Sequence, residues 1–255
     1  MLLAIDIGNT NVVFGVHDGA SWLHHWRVRT VREKMPDEYG VLLRALLSEA
    51  GLRMADFDRI VLASVVPPLT GRMEEMLADQ TTVEPLVVGH EVDTGLAFAV
   101  DNPAEVGADL IANAVAAYER VGQACVVVDF GTATTFTAVS REAAFLGVAI
   151  APGMNLAASA LAGGTAQLPQ IRLAAPEAAI GTNTIHAIRS GVLLGYVGLV
   201  EGMIDRFRGE IGGDVTVLAT GGLSSLIAHL TDRFSTVDPW LTLDGIRLIG
   251  ERATV

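Results

Sequence analysis

One short pattern occurs twice in the chain and constrains its fold more than any other feature. In Leu2–Val16, an apolar segment is followed by Asp6, a polar turn and a second apolar segment. Cys125–Val139 repeats this order, with Asp129 in the place of Asp6. Apolar runs on both sides of Gly, Asn and Thr are typical of a β-hairpin, because Gly and Asn accept positive φ at low cost. The sequence therefore predicts two hairpins, one near the start of each half.

Neither predicted hairpin needs a carboxylate at the end of its first strand. A carboxylate on a rigid strand can hold a hydrated Mg²⁺, and the N–H groups and hydroxyls of turns such as 8–11 and 130–135 can face phosphate oxygens. A third loop, Thr220-Gly221-Gly222, follows the apolar segment 215–219 and lets the backbone approach a ligand closely. An ordinary polar hairpin is the alternative for one copy alone, but three such loops in this order favour two similar halves that bind a nucleotide.

Composition limits the class of protein. The 255 residues are 51% hydrophobic and 18% charged, which predicts a packed globular chain of one large or two modest domains. The net charge of −12 argues against a nucleic-acid surface, where Lys and Arg would cluster. The single cysteine, Cys125, lies in an apolar strand and is expected to be a buried, inert thiol. The chain shows no signal-peptide pattern and no long apolar stretch free of polar residues, so we expect no membrane contact and a cytoplasmic protein.

The remaining pattern alternates strands and helices, as in an α/β sheet with covering helices. Small residues recur at spacings of three or four from Gly191 to Gly202, which predicts a flat helix face for close packing in the core or in a dimer. The predicted elements are helix 37–49, strand 59–65 stopped by Pro67-Pro68, helix 70–78, strand 84–88, a helix from 153 to 161, a bend at Gly163-Gly164, a short strand 170–173 and a long helix 185–208.

Asp109 lies at the start of an apolar helical segment that continues to Ala117. An acid at this position could be a helix N-terminal charge worth a few tenths of a kcal/mol. It could equally be a general base that accepts a proton from an attacking hydroxyl. The residues alone leave both interpretations open.

Taken together, the motifs resemble those of the type III pantothenate kinases, which belong to the acetate and sugar kinase, Hsc70 and actin superfamily. The resemblance spans nearly the whole chain and implies an α/β fold of two actin-like (ribonuclease H-like) halves, 1–118 and 119–255, with mixed sheets, flanking helices and a nucleotide cleft between the halves. The motifs that carry it are IDIGNTN, NPAEVGAD, VVDFGTATTF, IAPGMNLAASAL, TAQLP, GTNTIHAIRSG and ATGG.

The resemblance also implies an activity, ATP-dependent phosphorylation of pantothenate in coenzyme A biosynthesis by a homodimer. Asp109 is the implied catalytic base, Asp6 the ligand of Mg²⁺, and Asp129 the ligand of a monovalent cation, K⁺ or NH₄⁺. The implied nucleotide-binding residues are Asp6, Ile7, Gly8, Asn9, Thr10, Asn11, Val12, Val13 and Thr132. The implied acceptor-binding residues are Val100, Gly107, Ala108, Asp109, Leu110 and Thr184.

Two implied acceptor-binding positions depart from the family pattern. Leu110 stands where the family has an Arg that contacts the anionic substrate, and Val100 stands where a Tyr is common. Replacing Arg with Leu removes a charge and a bidentate contact to a carboxylate. Two alternatives to pantothenate phosphorylation therefore stay open: a kinase for a different small alcohol, and a catalytically silent binding or regulatory protein.

Overall fold

The computed structural model of the protein describes residues 1–253, and this range forms two compact units. The strands and α-helices, numbered in chain order, are β1 (Leu2–Ile7), β2 (Asn11–His17), β3 (Trp22–Arg29), α1 (Pro36–Glu49), β4 (Arg59–Ser64), α2 (Pro67–Ala78), β5 (Leu86–Val87), β6 (Ala97–Phe98), α3 (Ala108–Val121), β7 (Cys125–Phe130), β8 (Ala133–Val139), β9 (Ala144–Pro152), α4 (Met154–Gly164), α5 (Thr184–Ile211), β10 (Thr216–Thr220), α6 (Ser224–Ala228), β11 (Thr236–Val237) and α7 (Leu241–Arg252).

The first unit contains residues 1–96, residues 101–116 and the C-terminal segment that carries α7. Its sheet has the strand order β3-β2-β1-β4-β5, and β1 pairs antiparallel with β2 and parallel with β4. The first predicted hairpin is therefore confirmed. Most of β1 is buried because the strand lies in the middle of the sheet, which explains its nearly continuous apolar sequence.

The helices α1 and α2 both begin with proline. At α1, the Glu38 carboxylate accepts the Met35 N–H at 2.8 Å, which satisfies one N–H at the start of the helix. The strand β4 ends before Pro67-Pro68 as predicted, but the predicted start of α2 at residue 70 is wrong, because the two prolines form the first turn of the helix. Proline fits there because the first N–H groups of a helix have no intrahelical acceptor.

The last helix, α7, packs against β1 and β4 of the first unit. It also approaches α3 so closely that a Cβ on Gly245 would lie 1.9 Å from the Ala112 carbonyl oxygen. Beside this contact, the Thr242 hydroxyl donates to Asn113 Oδ1 at 2.8 Å. The sequence analysis predicts no helix here. The sequence predicts one boundary between the two halves, after residue 118. In the structure α7 belongs to the first unit, so the chain enters that unit again after residue 240.

The second unit contains residues 97–100 and 117–240. Its sheet has the strand order β11-β10-β7-β8-β9-β6, with β7 parallel to β10 and antiparallel to β8. The second predicted hairpin is therefore confirmed. Cys125 is fully buried in β7, and burial raises the pKa of its thiol to about 12, which agrees with an inert role.

Several predicted element boundaries in the second unit are wrong. Strand β7 extends through Phe130 and β8 begins at Ala133, so Thr134 and Thr135 lie in a strand and not in the turn. Helix α4 continues through the bend predicted at Gly163-Gly164. Segment 170–173, predicted as a strand, has no regular secondary structure.

Helix α5 begins at Thr184, where the Asn183 side chain accepts the His186 N–H at 3.0 Å. Within residues 1–253, α5 is the one helix long and apolar enough to span a membrane by length and composition. Its buried side chains, including Leu193, Val200 and Ile204, pack in the core of the second unit. Such packing is typical of the core helix of a globular protein.

Candidate active site

The polar turn between β1 and β2 is held by backbone and hydroxyl contacts. The Gly8 N–H donates to the Asn11 carbonyl at 2.9 Å, and the Thr30 hydroxyl donates to the Gly8 carbonyl at 2.7 Å. The side chains of Ile7, Val12 and Val13 are buried. These three predicted nucleotide-binding residues can therefore offer a ligand only their backbone groups.

The exposed tip of the same turn consists of Asn9 and Thr10. The Thr30 N–H donates to the Thr10 carbonyl, and Arg32 Nη2 donates to Asn9 Oδ1, both at 2.9 Å. Arg32 thus brings a positive charge next to the predicted phosphate loop. Arg32 could not be identified from the sequence, because no local pattern links it to a turn more than twenty residues earlier.

Asp109 lies in the first turn of α3, and Gly107 carries the carbonyl that accepts the Ile111 N–H at 3.0 Å. Burial raises the pKa of the Asp109 carboxyl above its usual value near 3.8, and a 2.7 Å hydrogen bond from the Leu110 N–H to Oδ1 partly opposes this shift. A Cβ on Gly107 would lie 2.7 Å from Oδ1. Glycine at position 107 therefore leaves the room that the carboxylate occupies.

The other predicted acceptor-binding residues are divided between the two units. Ala108 and Leu110 are buried beside Asp109 in the first unit, with the Leu110 side chain 8% exposed. Val100 follows β6, and Thr184 begins α5, both in the second unit. Residue 110 is therefore a buried apolar side chain that carries no charge.

Asp129 lies between two threonines in a row across three neighbouring strands. In the strand register it pairs with Thr220 of β10 on one side and with Thr135 of β8 on the other. Because paired residues of adjacent strands project from the same face of a sheet, the two hydroxyls flank the carboxylate. Both Oγ1 atoms are buried, and neither has a hydrogen-bond partner within residues 1–253. An unsatisfied buried hydroxyl costs about 1–3 kcal/mol, so these two groups require an explanation.

Glycines allow the backbone to approach this row closely. Gly221 has a φ of +90°, and a Cβ there would lie 2.3 Å from Asp129 Oδ1. A Cβ on Gly153 would lie 2.2 Å from the Thr132 carbonyl oxygen, which accepts the Gly153 N–H at 3.1 Å. Thr132 itself is exposed at the turn between β7 and β8. Any side chain at 221 or 153 would therefore displace the turn or the carboxylate.

The corresponding row in the first unit is apolar. Asp6 pairs with Ala63 of β4 and with Val13 of β2, neither of which has a side-chain oxygen. No cluster of three or more His, Cys, Asp or Glu that could hold a metal occurs in the described part of the chain. A single carboxylate suits Mg²⁺, which keeps several waters and takes one or two protein carboxylates together with phosphate oxygens.

A groove of about 1210 Å³ lies between α4 and α5 of the second unit. Its lining includes Asn183 and Thr184 at the start of α5 and the small residues Gly191 and Gly195. Its walls are mostly apolar, and Leu156 on α4 is largely exposed. Gly191 and Gly195 of the predicted flat helix face therefore border open space, with no side chain packed on either.

Comparisons with known proteins agree with these features. The family model for type III pantothenate kinase matches residues 2–206. The type III pantothenate kinase of Moorella thermoacetica is 48% identical over 254 residues, covering 100% of both chains. That of Geobacillus kaustophilus is 45% identical, covering 100% of this chain and 98% of the relative.

The fold also matches that of solved structures in the sugar kinase group. A putative 2-dehydro-3-deoxygalactonokinase from Sinorhizobium meliloti superposes with a TM-score of 0.57 and 14% identity, covering 99% of this chain and 98% of the other. At this identity the likeness concerns the fold alone, and it agrees with the actin-like α/β architecture that the family resemblance implies. The full-length identity to its sequence relatives goes further, and it shows that the chain belongs to the type III pantothenate kinase family.

Proposed function

We propose that the protein transfers the γ-phosphoryl group of ATP to the primary hydroxyl of pantothenate, the first step of coenzyme A biosynthesis. The observation that carries the proposal is Asp109, a poorly solvated carboxylate with a raised pKa behind a glycine that leaves room for it. A base whose pKa is raised toward the working pH accepts a proton more readily during the reaction. Two relatives named type III pantothenate kinase are 48% and 45% identical to this chain over 254 residues, which supports pantothenate as the acceptor.

The reaction uses two parts of the first unit: the base Asp109, and the loop and arginine that face the phosphates. The Asp109 carboxylate accepts the proton of the acceptor hydroxyl while the hydroxyl oxygen forms a bond to the γ-phosphorus. The bond between that phosphorus and its bridging oxygen breaks, and ADP leaves with the electron pair. The nucleotide-binding segment 8–13 and the Arg32 guanidinium would stabilise the phosphate charge.

Ions complete the charge balance of the phosphates. Asp6 would hold a hydrated Mg²⁺, because its neighbours in the sheet offer no further oxygen. Asp129, beside the turn that carries Thr132, would hold the monovalent cation, K⁺ or NH₄⁺. Each cation would supply positive charge that offsets the negative charge of the phosphates in the transition state.

The acceptor site is the place where this chain differs from its family, and Leu110 provides the sharpest test. We assign acceptor contacts to Val100, Thr184 and the segment 107–110. Leu110→Arg should lower the KM for pantothenate about tenfold or more, because a charge-assisted contact to the substrate carboxylate contributes about 1.5–3 kcal/mol. Steady-state kinetics with ADP detection measures this change.

The matched control for this prediction is Leu110→Met, which keeps an apolar side chain of similar volume and should leave the KM for pantothenate unchanged. Thermal unfolding of both variants separates a loss of fold from a change in the site. A folded Leu110→Arg protein with an unchanged or higher KM would contradict the assignment of residue 110 to the carboxylate subsite.

A second function is favoured by the same residue. The buried Leu110 side chain and the half-buried Val100 offer no positive charge or phenol to an anionic acceptor. A neutral alcohol of similar size has no charge to desolvate at such a surface, whereas a carboxylate would lose the hydration of its charge without gaining a partner. The alternative is therefore a kinase for an uncharged relative of pantothenate, with the same base and the same phosphate loops.

The second unit also supports a homodimer. Helix α5 and the segment before it expose apolar side chains, among them Ile185 and Ile180, the latter 84% exposed. Together with the open groove between α4 and α5, they form an apolar area that a second copy of the chain could cover. Light scattering after size exclusion would give twice the chain mass of 26.8 kDa for such a dimer. We propose that this dimer acts in the cytoplasm.

The direct test of the function is ADP release with ATP, Mg²⁺ and K⁺, measured with pantothenate, with its neutral alcohol analogue pantothenol, and with neither. Turnover that depends on pantothenate supports the proposal. Turnover with pantothenol alone supports the second function. Absence of turnover with both acceptors, from a protein that binds Mg·ATP, would contradict the kinase assignment.

A further inference from the structure

We propose that the hydroxyls of Thr220 and Thr135 are direct ligands of the monovalent cation held at Asp129. This inference rests on the cation role assigned to Asp129 in the proposed function and adds the residues that would complete that site. It explains why two threonine hydroxyls are buried on either side of one carboxylate without hydrogen-bond partners in the described chain.

The strand register places the three oxygen-bearing side chains in one row. Thr220 pairs with Asp129 in the parallel ladder between β10 and β7, and Asp129 pairs with Thr135 in the antiparallel ladder between β7 and β8. Paired side chains on adjacent strands lie about 4.5–5.5 Å apart at their Cβ atoms. A cation above the middle strand can therefore be reached from both sides by hydroxyl oxygens and from below by the carboxylate.

The oxygen atoms of the two hydroxyls are shielded from bulk solvent. Thr220 is 0% exposed, and the Thr135 hydroxyl oxygen is buried as well. Gly221, which follows Thr220, brings its backbone against Asp129 Oδ1 in a conformation with positive φ. Close backbone approach at Gly221 thus shapes the surroundings of the carboxylate and of the buried hydroxyls beside it.

The charge of the row fits a monovalent ion. One carboxylate and two neutral hydroxyls supply a single negative charge, which balances one positive charge. K⁺ gives up its water for neutral protein oxygens, whereas Mg²⁺ dehydrates reluctantly and demands a small octahedral shell. The row in the first unit, with Asp6 between Ala63 and Val13, lacks the hydroxyls. The two copies of the hairpin are therefore specialised for different ions by the residues on their neighbouring strands.

Thr134 provides a matched control inside the same strand. Its hydroxyl is also buried without a hydrogen-bond partner among the described residues. It pairs with Phe130 and so lies on the opposite face of the sheet, toward the core that contains Phe136. Thr134→Val therefore removes a hydroxyl of the same kind from the same strand without touching the row at Asp129.

The experiment measures K⁺ binding through thermal stability. Wild type, Thr220→Val, Thr135→Val and Thr134→Val are melted over a series of KCl concentrations, with choline chloride keeping the ionic strength constant, without nucleotide and with Mg·ADP. The midpoint of the K⁺-dependent rise in Tm gives the affinity. We expect Thr220→Val and Thr135→Val each to weaken K⁺ binding at least tenfold, and Thr134→Val to leave it within twofold of wild type.

The Tm measured in choline chloride without K⁺ provides a second test of the proposal. There, Thr220→Val should melt at the same temperature as wild type or higher, because valine has the shape of threonine without its unsatisfied hydroxyl. Lower K⁺ affinity without loss of basal stability distinguishes a ligand from a structural residue. Wild-type K⁺ affinity in both Thr220→Val and Thr135→Val, or no K⁺ effect on wild type in either condition, would overturn the proposal.

The same proteins separate this inference from the proposed function. In one outcome, pantothenate is not phosphorylated, Thr220→Val and Thr135→Val lose K⁺ binding, and Thr134→Val keeps it. The cation ligands are then confirmed, and the proposed acceptor is wrong. In the opposite outcome, pantothenate turnover depends on K⁺, but Thr220→Val and Thr135→Val bind K⁺ like wild type. The proposed kinase function is then supported, and the two threonines are not cation ligands.

Discussion

Asp109→Asn is expected to lower kcat for phosphoryl transfer by a factor of about 10²–10⁴, the usual contribution of a positioned general base. The amide keeps the shape of the side chain but cannot accept the proton of the acceptor hydroxyl. The KM for ATP should change little, because the phosphate loops do not include Asp109. Steady-state kinetics and nucleotide binding by calorimetry measure both quantities.

The control for Asp109→Asn is Glu105→Gln, which neutralises an exposed acid four residues earlier and keeps the side-chain oxygen that accepts from Asn102. It should retain wild-type kcat. Residual activity of Asp109→Asn within threefold of wild type would exclude the base role.

The pH dependence follows from the direction of the Asp109 pKa shift. Burial raises the pKa of this carboxyl in the folded protein, so the ionised base is lost at a higher pH than for an ordinary aspartate. The acid limb of kcat/KM should therefore lie above pH 3.8. The folded carboxyl also binds its proton more tightly than the unfolded one, so its effect on stability becomes unfavourable as pH rises through the raised pKa. At neutral pH, Asp109→Asn should unfold at an equal or higher denaturant concentration.

Gly245→Ala is expected to destabilise the first unit by about 3 kcal/mol or more. The new Cβ would lie 1.9 Å from the Ala112 carbonyl oxygen, and neither group is the end of a flexible side chain that could move away. Helices α7 and α3 must separate to admit it, which breaks the Thr242–Asn113 hydrogen bond and opens the packing of α7 on the sheet. Urea unfolding followed by circular dichroism measures the change.

Gly209→Ala is the matched control for this prediction, since it makes the same substitution inside α5 at an exposed position with nothing within 4 Å of the new Cβ. It should raise the unfolding free energy by about 0.5–1 kcal/mol, because alanine loses less backbone entropy than glycine in a helix. Equal effects of the two substitutions would contradict the close approach of α7 to α3.

Local patterns account for the part of the site that could be predicted. The two hairpins carry their signal in adjacent residues, so Asp6, Asp129 and the turn at 8–11 could be assigned from sequence, and the structure confirms the hairpins. Asp109 could be selected because an acid precedes an apolar helix, although only the family resemblance favours a base over a helix-end charge.

The row at Asp129 could not be predicted, because it depends on the register of three strands that are far apart in the sequence. Thr220 lies 91 residues after Asp129, and nothing near Thr220 indicates which residue of β7 it pairs with. The sequence predicts Thr135 in a turn, where its side chain would have no fixed neighbour, because no residue there marks the end of the turn. The two unsatisfied hydroxyls become visible only once both pairings are known.

Errors at element ends have a common physical cause. Pro67 and Pro68 stop a strand and start a helix equally well, and Gly163 and Gly164 are tolerated at the end of α4 although glycine favours a bend. Segment 170–173 has strand-forming residues, but it pairs with no strand in the described range 1–253. In each case tertiary context overrode local preference.

The position of α7 has a consequence for the synthesis of the protein. When a ribosome has added residue 240, every strand of the first sheet has been made, but the helix that covers β1 and β4 has not. Helix α7, whose side chains Leu241, Ile246 and Ile249 are buried, can pack on that sheet only after residues 241–252 have been synthesised. The second unit, whose segments end at residue 240, can complete its core earlier. The unit whose synthesis begins first is therefore the last to complete its core. Nascent chains that end before α7 would expose an apolar face of its sheet to chaperones and proteases.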